Sequence, residues 1–239
     1  MKQRLDQLLV QRGLVPTRSQ AESWIKLGKV MVDGKAATKP GFFVHDTAKI
    51  VLTAEEQYVS RAGLKLASVA GKFNIDFAGK TVLDVGSSTG GFTDFALRNG
   101  ATKVYAVDVG TDQLHPSLRG DARIELHEKT DIRDFTPATT PDIVVMDVSF
   151  ISVRQILPHV GKIIGPATDI FVMVKPQFEA SRQQITSSGV IKNDSVRRTI
   201  LRDFEVWTKG YFRVIDKADS DVKGARGNLE RFYQLRRLK

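Results

Sequence analysis

The hydrophobic positions near the start of the chain recur at helical spacing. Leu5, Leu8 and Leu9 fall on one face of a predicted helix over residues 4–12, with Gly13 as a stop signal. A second helix is predicted after Thr17 and Ser19, which are suitable cap residues, and it ends at Gly28. Its inward positions are Ala21, Trp24, Ile25 and Leu27.

The pattern then changes to short runs typical of strands. Residues 30–32 and 35–37 flank Asp33-Gly34, a dipeptide that favours a two-residue hairpin turn. Residues 44–52 can close a small sheet against this hairpin. The first fifty residues therefore predict a small α+β unit.

Longer apolar runs alternate with helical patterns in the rest of the chain, as in a doubly wound α/β sheet. Strands are predicted at 81–85, 103–109, 123–127, 142–148, 169–174, 211–216 and 231–235. Helices are predicted after Ser60, at 93–98 and at 195–209, the first with Leu64, Leu66, Val69 and Ala70 inward. We expect a small α+β domain at 1–52, a polar linker at 53–59 and a Rossmann-like α/β domain at 60–239.

A glycine-rich turn follows the first long strand. It reads Gly86-Ser87-Ser88-Thr89-Gly90-Gly91 and leads into a helix, the arrangement that forms the nucleotide-binding corner of α/β sheets. The turn lacks the G-x-G-x-x-G spacing of dinucleotide sites and the G-K-[ST] of phosphate-binding loops. A turn of this kind can also serve packing alone.

Acidic residues near the ends of neighbouring strands indicate which ligand could bind. Asp84 precedes the glycines, and Asp108 ends the second strand, where a carboxylate can accept both hydroxyls of a ribose. Asp131-Ile132 follows the third strand and could meet an adenine, although a helical role is equally compatible with it. Together these positions resemble the S-adenosylmethionine (SAM) site of Rossmann-like methyltransferases.

Charge is distributed unevenly along the 239 residues. Residues 1–50 carry nine Lys/Arg and four Asp/Glu, residues 51–180 carry 13 and 16, and residues 181–239 carry 14 and seven, for a net charge of +9. A mildly acidic centre between basic ends suits a catalytic core flanked by surfaces that bind a polyanion. Solubility alone is the simpler explanation.

Composition excludes several classes of protein. With no cysteine there is no disulfide, no thiolate metal site and no cysteine nucleophile of the kind that cytosine C5 methylation requires. No 18-residue apolar run occurs, and the charged start MKQRLDQLLVQRG does not suit a signal peptide. We expect a cytoplasmic protein without a metal ion and without a membrane partner.

The first fifty residues resemble the S-four RNA-binding module over its whole extent. The resemblance rests on the string R-L-D-x-L-L…S-R-x-x-A…I-x-x-G-x-V-x-V-D-G-K. It implies that basic residues hold RNA phosphates and recognise helix shape. The candidate RNA-binding residues are Arg4, Arg12, Arg18, Lys26, Lys29 and Lys35, with Arg61 beyond the linker. A structural module with solvated charges is the alternative.

Four polar residues on separate segments resemble the Lys-Asp-Lys-Glu tetrad of FtsJ-like ribose 2′-O-methyltransferases. They are Lys65, Asp147, Lys175 and Glu230, although Lys65 taken alone would indicate an exposed lysine. The surrounding strings S-R-x-G-x-K-L, D-V-G-x-S-T-G-G-F-T-D, D-V-S-F-I-S, K-P-Q-F-E and G-N-x-E resemble the TlyA (hemolysin A) family across essentially the whole chain. The resemblance implies SAM as cofactor, held by Asp84, Gly86, Ser87, Ser88, Thr89, Gly90, Gly91, Phe92, Asp108, Val109, Asp131 and Ile132.

The same resemblance assigns roles to the four residues. A ribose hydroxyl must lose its proton to attack a sulfonium methyl, and a lysine accepts that proton only as a neutral amine, which burial and a neighbouring cation favour. Lys175 would be the base, oriented by Asp147, while Lys65 and Glu230 position the ribose. The implied substrate is a cytidine in ribosomal RNA, with the large subunit favoured because the chain is short. Ribosomal RNA or ribosomal subunits are therefore the expected partner.

Two departures and two alternatives accompany this assignment. Ser88-Thr89 stands where FtsJ-like proteins proper usually carry Ala-Pro, and Arg231 stands where an apolar residue is commoner, which makes the end of the last strand uncertain. A pore-forming hemolysin would need a membrane-active segment, and no sufficiently long amphipathic or apolar stretch is evident. A non-catalytic RNA-binding assembly factor would not need an intact tetrad.

Overall fold

The computed structural model describes residues 2–15, 17–26, 28–53, 58–181, 184–185, 189–191, 193–224 and 227–238. Within the two helical stretches near the start, the side chains of Ser19, Ser23 and Lys26 are also outside the description. The chain forms two units, residues 1–61 and 62–239. Most of the predicted 53–59 linker falls outside the described residues, so its bounds stay a prediction.

The first unit packs two helices against short strands. The elements are β1 Lys2–Arg4, α1 Leu5–Gln11, α2 Arg18–Lys26, β2 Val30–Val32, β3 Lys35–Ala37, β4 Phe43–His45 and β5 Ile50–Leu52. The predicted leucines of α1 and Ala21, Trp24 and Ile25 of α2 are buried, as expected, whereas Leu27 lies outside the described residues. The hairpin forms as predicted, and β5 completes a sheet of order β3-β2-β5.

One pairing in this unit has no sequence signal. β4 pairs antiparallel with β1, which precedes α1, instead of joining the hairpin sheet. Three-residue strands are too short to show a period of two, so the pattern of residues 2–4 could not predict a strand.

The second unit is built around a seven-stranded sheet. Its strands are β6 Thr81–Val85, β7 Lys103–Val107, β8 Ile124–His127, β9 Ile143–Met146, β10 Asp169–Val174, β11 Phe212–Asp219 and β12 Arg231–Arg237. Their order is β11-β12-β10-β9-β6-β7-β8. The neighbouring strands β8, β7, β6, β9 and β10 pair in parallel, whereas β12 is antiparallel to both β10 and β11.

This order places a topological switch point beside β6. The chain moves outward from β6 to β7 and β8, then returns to β9 on the other side of β6. Ligands of open α/β sheets bind outside the carboxyl ends of the strands at such a point. The glycine-rich turn after β6 therefore lies at the position expected of a ligand site.

Helices flank the sheet. They are α3 Arg61–Ala70, α4 Gly91–Arg98, α5 Leu157–Ile163, α6 Pro176–Glu179 and α7 Asp194–Thr208, with 3-10 turns at 116–118, 132–134 and 153–155. In α3, Leu66 and Val69 are buried as expected, and Leu64 and Ala70 are half-buried. α4 begins two residues before the predicted start because Gly90, with φ 88°, takes the left-handed conformation at its N-cap.

The core forms where helices cover the apolar strands. Val144, Val145 and Met146 of β9 are fully buried, which confirms the prediction of a central parallel strand. β11 runs three residues beyond its predicted end and contains an irregularity between Val214 and Asp216. Neither α5 nor the 3-10 turns had been predicted.

Candidate active site

Lys175 follows the carboxyl end of β10, and its amino group has two oxygen partners from the segment after β9. The distances are 2.6 Å to Asp147 Oδ1 and 2.7 Å to Ser149 Oγ. Lys175 is 8% exposed, so this amine is largely removed from water. Adjacent parallel strands present their carboxyl ends at the same edge, which explains how residues 26 or more apart meet here.

Lys65 and Glu230 form a second pair, joined by 2.6 Å between Nζ and Oε2. Lys65 is 8% exposed and Glu230 is 2% exposed, which excludes the exposed lysine that Lys65 alone would indicate. An ion pair this deeply buried is costly to form, and such pairs are retained for function or specificity more often than for stability.

The strand register brings the two pairs to one edge of the sheet. Val174 of β10 lies opposite Arg231 of β12, so Lys175 and Glu230 leave adjacent strands at the same level. Gln177, two residues beyond Lys175, also approaches Glu230, with 3.5 Å between its Nε2 and Glu230 Oε1. All four residues of the predicted tetrad are thus collected at this edge.

A cavity of about 420 Å³ opens beside Asp147. Its wall includes the predicted residues Gly86, Ser88, Asp108, Val109, Asp131 and Ile132. Residues that the sequence did not single out also contribute: Val85, Val107, Gln113, Thr130, Val148, Ser149, Phe150, Ile151 and Ile156. Apolar walls with a few convergent polar groups are typical of a small-molecule site.

Asp108 and Asp131 both face this cavity and are held by other groups. Asp108 accepts hydrogen bonds from the backbone N–H groups of Ser88 and Gly110 at 2.8 and 2.7 Å. Asp131 is bound by Arg133, whose side chain and backbone hydrogen bonds lower the pKa of Asp131 to about 2. Both carboxylates retain oxygen lone pairs that could accept further bonds.

Gly86 is required by a close approach at the switch point. A Cβ added there would lie 2.8 Å from the carbonyl oxygen of Asp147, and its φ of +80° is in the left-handed region. The turn after β6 can therefore touch the segment after β9 only because it carries a glycine.

Six predicted cofactor residues do not line the cavity. Asp84, one of them, is fully buried and accepts a hydrogen bond from Thr93 Oγ1 at 2.7 Å, while its Oδ1 has no hydrogen-bond partner among the described residues. Burial raises its pKa to about 7. The others not among the cavity-lining residues are Ser87, Thr89, Gly90, Gly91 and Phe92.

Phe150 was missed as a site residue although it lies within the quoted string D-V-S-F-I-S. It is 92% exposed, its φ is +66°, and its ring lies 5.3 Å from that of Phe178. Left-handed backbone is uncommon for a bulky residue and often marks a functional position. An exposed aromatic at the end of a strand was the available signal.

The basic residues proposed to bind RNA fall into two groups. Arg4 and Arg18 are paired with Asp6, at 2.8 and 2.9 Å, and Arg12 donates to the carbonyl oxygens of Asp46 and Ala48. Lys29 and Lys35 are exposed, Arg61 is half-buried, and the side chain of Lys26 is outside the described residues.

In the part of the chain that the structure describes, no helix is long and apolar enough to cross a bilayer. No group of three or more histidine and acidic side chains that could hold a metal ion occurs in those ranges either.

Comparison with known proteins agrees with both units. Residues 58–237 match the FtsJ-like methyltransferase family, and residues 3–50 match the S4 domain. The 16S/23S rRNA (cytidine-2′-O)-methyltransferase TlyA of Mycobacterium tuberculosis is 41% identical over 98% of this chain and 89% of its own length. The 23S rRNA (cytidine-2′-O)-methyltransferase TlyA of Campylobacter jejuni is 39% identical over 74% of this chain and 70% of its own length.

A solved structure from Streptococcus thermophilus, whose name contains the word hemolysin, has a TM-score of 0.75 and 37% identity. It covers 100% of this chain, and the match spans 89% of that structure. The family match, the seven-stranded sheet and the buried lysine–carboxylate pairs lead to one assignment. This chain belongs to the FtsJ-like methyltransferase family and carries an S4 domain before its methyltransferase domain.

Proposed function

We propose that the chain transfers a methyl group from SAM to the ribose 2′-hydroxyl of a cytidine in ribosomal RNA, with Lys175 as the base. The observation that carries the proposal is the contact of Lys175 with Asp147, 2.6 Å apart at the edge of the cavity. The names of the two TlyA relatives support the reaction and the nucleotide. Both names include 23S, so the large subunit is the substrate that we favour.

The cavity suits SAM in shape and chemistry. Asp108 would accept the ribose hydroxyls, because its oxygens face the cavity and are already oriented by two backbone N–H groups. Val109 and Ile132 would cover the adenine, with Asp131 at its edge. Asp84 does not line the cavity and would act by fixing the end of β6 to α4 through its hydrogen bond with Thr93. When bound, SAM supplies a methyl group on a positively charged sulfonium.

Lys175 removes the proton of the attacking hydroxyl. In its neutral form the amine has a lone pair that can accept this proton. The amine lies beside Asp147, which forms part of the cavity wall. As the ammonium forms, Asp147 stabilises the new positive charge. Precise alignment of hydroxyl, amine and methyl group accounts for much of the rate in such a displacement.

Lys65 and Glu230 would position the ribose. Each is buried and satisfied by the other, so the pair keeps a fixed orientation with little loss of side-chain freedom on binding. Gln177, two residues after Lys175 in the chain, approaches Glu230 and so connects this pair to the segment that carries Lys175.

Phe150 offers an aromatic face for the target base. A nucleotide whose ribose reaches the recessed amine of Lys175 must leave its base stack. Unstacked RNA bases commonly rest on aromatic side chains. Phe150 is almost completely exposed next to Ser149, which contacts the proposed base.

The S4 domain would hold the surrounding RNA through exposed lysines. Lys29 and Lys35 are available for phosphate contacts. Arg4, Arg12 and Arg18 donate to protein oxygens, so we propose that they shape the RNA-binding surface more than they neutralise phosphates. A ribosomal substrate agrees with the cytoplasmic location expected from the sequence.

Methyl transfer to ribosomal subunits tests this function. Purified protein, SAM with a labelled methyl group and each subunit from a strain lacking the gene are expected to give one alkali-resistant linkage at a cytidine. Lys175→Ala is expected to lower the rate at least 100-fold, because the base is lost. Lys162→Ala, at an exposed lysine in α5, is the matched control and should keep the full rate.

Label recovered on a base in place of a ribose would contradict the proposed reaction. Full activity of Lys175→Ala would contradict the proposed base while leaving the reaction intact. Assaying the two subunits separately decides between the large subunit alone and both.

A further inference from the structure

The hydroxyl group of Ser149 lies next to the amine of Lys175 and has no role in the function proposed above. Lys175 Nζ donates to Ser149 Oγ at 2.7 Å and lies 2.6 Å from Asp147 Oδ1. Both oxygens come from the short segment that follows β9. Ser149 thus accepts a hydrogen bond from the amine, whereas Asp147 Oδ1 is in close contact with the nitrogen without hydrogen-bond geometry.

A neutral primary amine has two N–H bonds and one lone pair, arranged tetrahedrally with the bond to Cε. With one N–H group directed at Ser149, the negative charge of Asp147, 2.6 Å from the nitrogen, disfavours a lone pair on its side, so the lone pair takes the remaining direction. Without Ser149, rotation about the Cε–Nζ bond could place the lone pair in either of two positions while keeping the contact with Asp147.

We propose that Ser149 is a positioning residue that fixes the lone pair of neutral Lys175 towards the ribose hydroxyl. This inference rests on the proposed function of Lys175 as base. In the step it serves, the 2′-O–H proton moves to Nζ, the oxygen bonds to the methyl carbon, and the electron pair of the broken C–S bond stays on sulfur. The resulting ammonium then has three N–H groups, the third of which came from the substrate.

Ser149 is held by a set of contacts that joins the two strand-end segments. Lys175 contacts Asp147 and Ser149, and the Phe178 ring lies 5.3 Å from the Phe150 ring. One turn after Lys175, Glu179 accepts hydrogen bonds from Ser152 Oγ at 2.6 Å and from the N–H of Val153 at 2.8 Å.

These contacts follow one another in the same order along both segments. The segment containing Ser149 is therefore fixed against α6 on both sides of the left-handed residue Phe150. Burial raises the pKa of Glu179, but Glu179 remains tied to this segment through two donors in the same turn. A serine held this firmly can define an angle and not merely a distance.

Ser149 is itself exposed, so its replacement should not disturb the core. Ser149→Ala is expected to lower kcat about tenfold, the order of one lost hydrogen bond to the reacting group, while KM for SAM and for ribosomal subunits changes less than twofold. Ser149→Thr keeps the hydroxyl and is expected to recover most of kcat. Ser195→Ala, an exposed serine of α7, serves as the matched control.

A second measurement does not depend on turnover. In protein labelled with 15N-lysine, without RNA, the amino protons of Lys175 are expected to exchange with water faster in Ser149→Ala than in the wild type. The unfolding temperature of each variant, measured in parallel, identifies any loss that comes from the fold.

Wild-type kcat in Ser149→Ala, or equal losses in the alanine and threonine variants at unchanged stability, would overturn the inference. So would a loss confined to KM. The proposed function and the role of Ser149 can be tested separately. Activity of Lys175→Ala would contradict the role of Lys175 as base. An inactive Lys175→Ala together with a fully active Ser149→Ala would contradict only the role of Ser149.

Discussion

Asp84 and Asp147 sit at the carboxyl ends of neighbouring parallel strands, but their surroundings differ. Asp147 faces the cavity and lies 2.6 Å from the amino group of Lys175. Asp84 is fully buried and accepts a hydrogen bond from Thr93, while its Oδ1 has no hydrogen-bond partner among the described residues. Burial therefore raises its pKa to about 7.

This difference predicts an unusual pH dependence of stability. Because the pKa of Asp84 is near 3.8 in the unfolded chain and about 7 in the folded chain, its contribution is fully present below pH 4 and is lost as the pH rises through 7. Asp84→Asn removes this titration. Its free energy of unfolding should rise relative to the wild type between pH 4 and 7, by at most roughly 4 kcal/mol, and stay level above pH 7.

Urea unfolding at several pH values measures the effect, with Asp203→Asn at an exposed position of α7 as control. A constant difference between Asp84→Asn and the wild type across this pH range would show that Asp84 is charged throughout. Either result also reports on the strand end that supports the cavity.

At the residue scale, the sequence predicts the members of the tetrad better than the side-chain partners elsewhere in the fold. Lys65, Asp147, Lys175 and Glu230 can be singled out because each belongs to a recognisable string. The pairing of Arg4 and Arg18 with Asp6 had no such signal, because it depends on how α1 and α2 pack. Side-chain partners across a fold are set by tertiary contacts that a single sequence does not show.

At the scale of elements, the last described strand owes its position to charge. Arg231 begins β12 and donates to Asp219 at 2.6 Å, and Arg197 of α7 reaches the same carboxylate and the carbonyl oxygen of Leu229. The arginine that made the end of this strand uncertain is thus a partner within the fold. Strand β12 starts at the predicted residue and runs two residues beyond its predicted end, to Arg237.

The loop before β12 is joined to an earlier segment by one side chain. Asn228 accepts a hydrogen bond from the N–H of Ile191 at 3.0 Å and donates to the carbonyl oxygen of Gly189 at 3.1 Å. Its own carbonyl oxygen accepts from the N–H of Gly224. This is a physical reason for an asparagine two residues before Glu230 in the G-N-x-E string.

Gly224 offers a test of how precisely Glu230 must be placed. A Cβ at this position would lie 2.7 Å from Glu230 Oε1, so in Gly224→Ala the carboxylate that pairs with Lys65 must shift. The moving group is the end of a flexible side chain, so stability should change little. We expect kcat to fall on the order of 10- to 100-fold in the methyl-transfer assay.

Gly120→Ala is the matched control, because the added Cβ would meet no atom within 4 Å. If Gly224→Ala kept the full rate, with its unfolding temperature unchanged, the exact position of Glu230 would be irrelevant to catalysis.

At the scale of the whole molecule, basic charge is concentrated outside the catalytic centre. Residues 1–50 have a net charge of +5 and residues 51–180 a net charge of −3. The α/β class of the second unit followed from the apolar runs, but the division of the arginines and lysines between protein and RNA partners did not. Arg12 and Arg18 are exposed as Lys29 and Lys35 are, so what separates these arginines from the two lysines is their hydrogen bonding to protein oxygens in the folded domain.

This distribution predicts how binding responds to salt. Replacing Lys29 and Lys35 by alanine should weaken binding to ribosomal subunits and reduce the slope of log K against log salt concentration by roughly 1.5, since each phosphate contact contributes about 0.7 to 0.9. Lys162 and Lys209, exposed in or next to helices of the second unit, give a double alanine variant of equal charge change.

Filter binding at several salt concentrations measures both slopes. Equal slopes for the two double variants would mean that the S4 domain makes no specific use of its exposed lysines. A change in kcat without a change in binding would place these lysines in catalysis and contradict their assignment to RNA.

The antiparallel strand β12 has a consequence for synthesis of the protein. Glu230 precedes β12, and its partner Lys65 lies 165 positions earlier in the chain. The other three members of the tetrad, Lys65, Asp147 and Lys175, are translated before Glu230 has been added. A nascent chain whose residue 230 has not yet emerged from the ribosome thus lacks one member of the proposed tetrad, and the proposed methyl transfer can begin only after the polypeptide has emerged past β12.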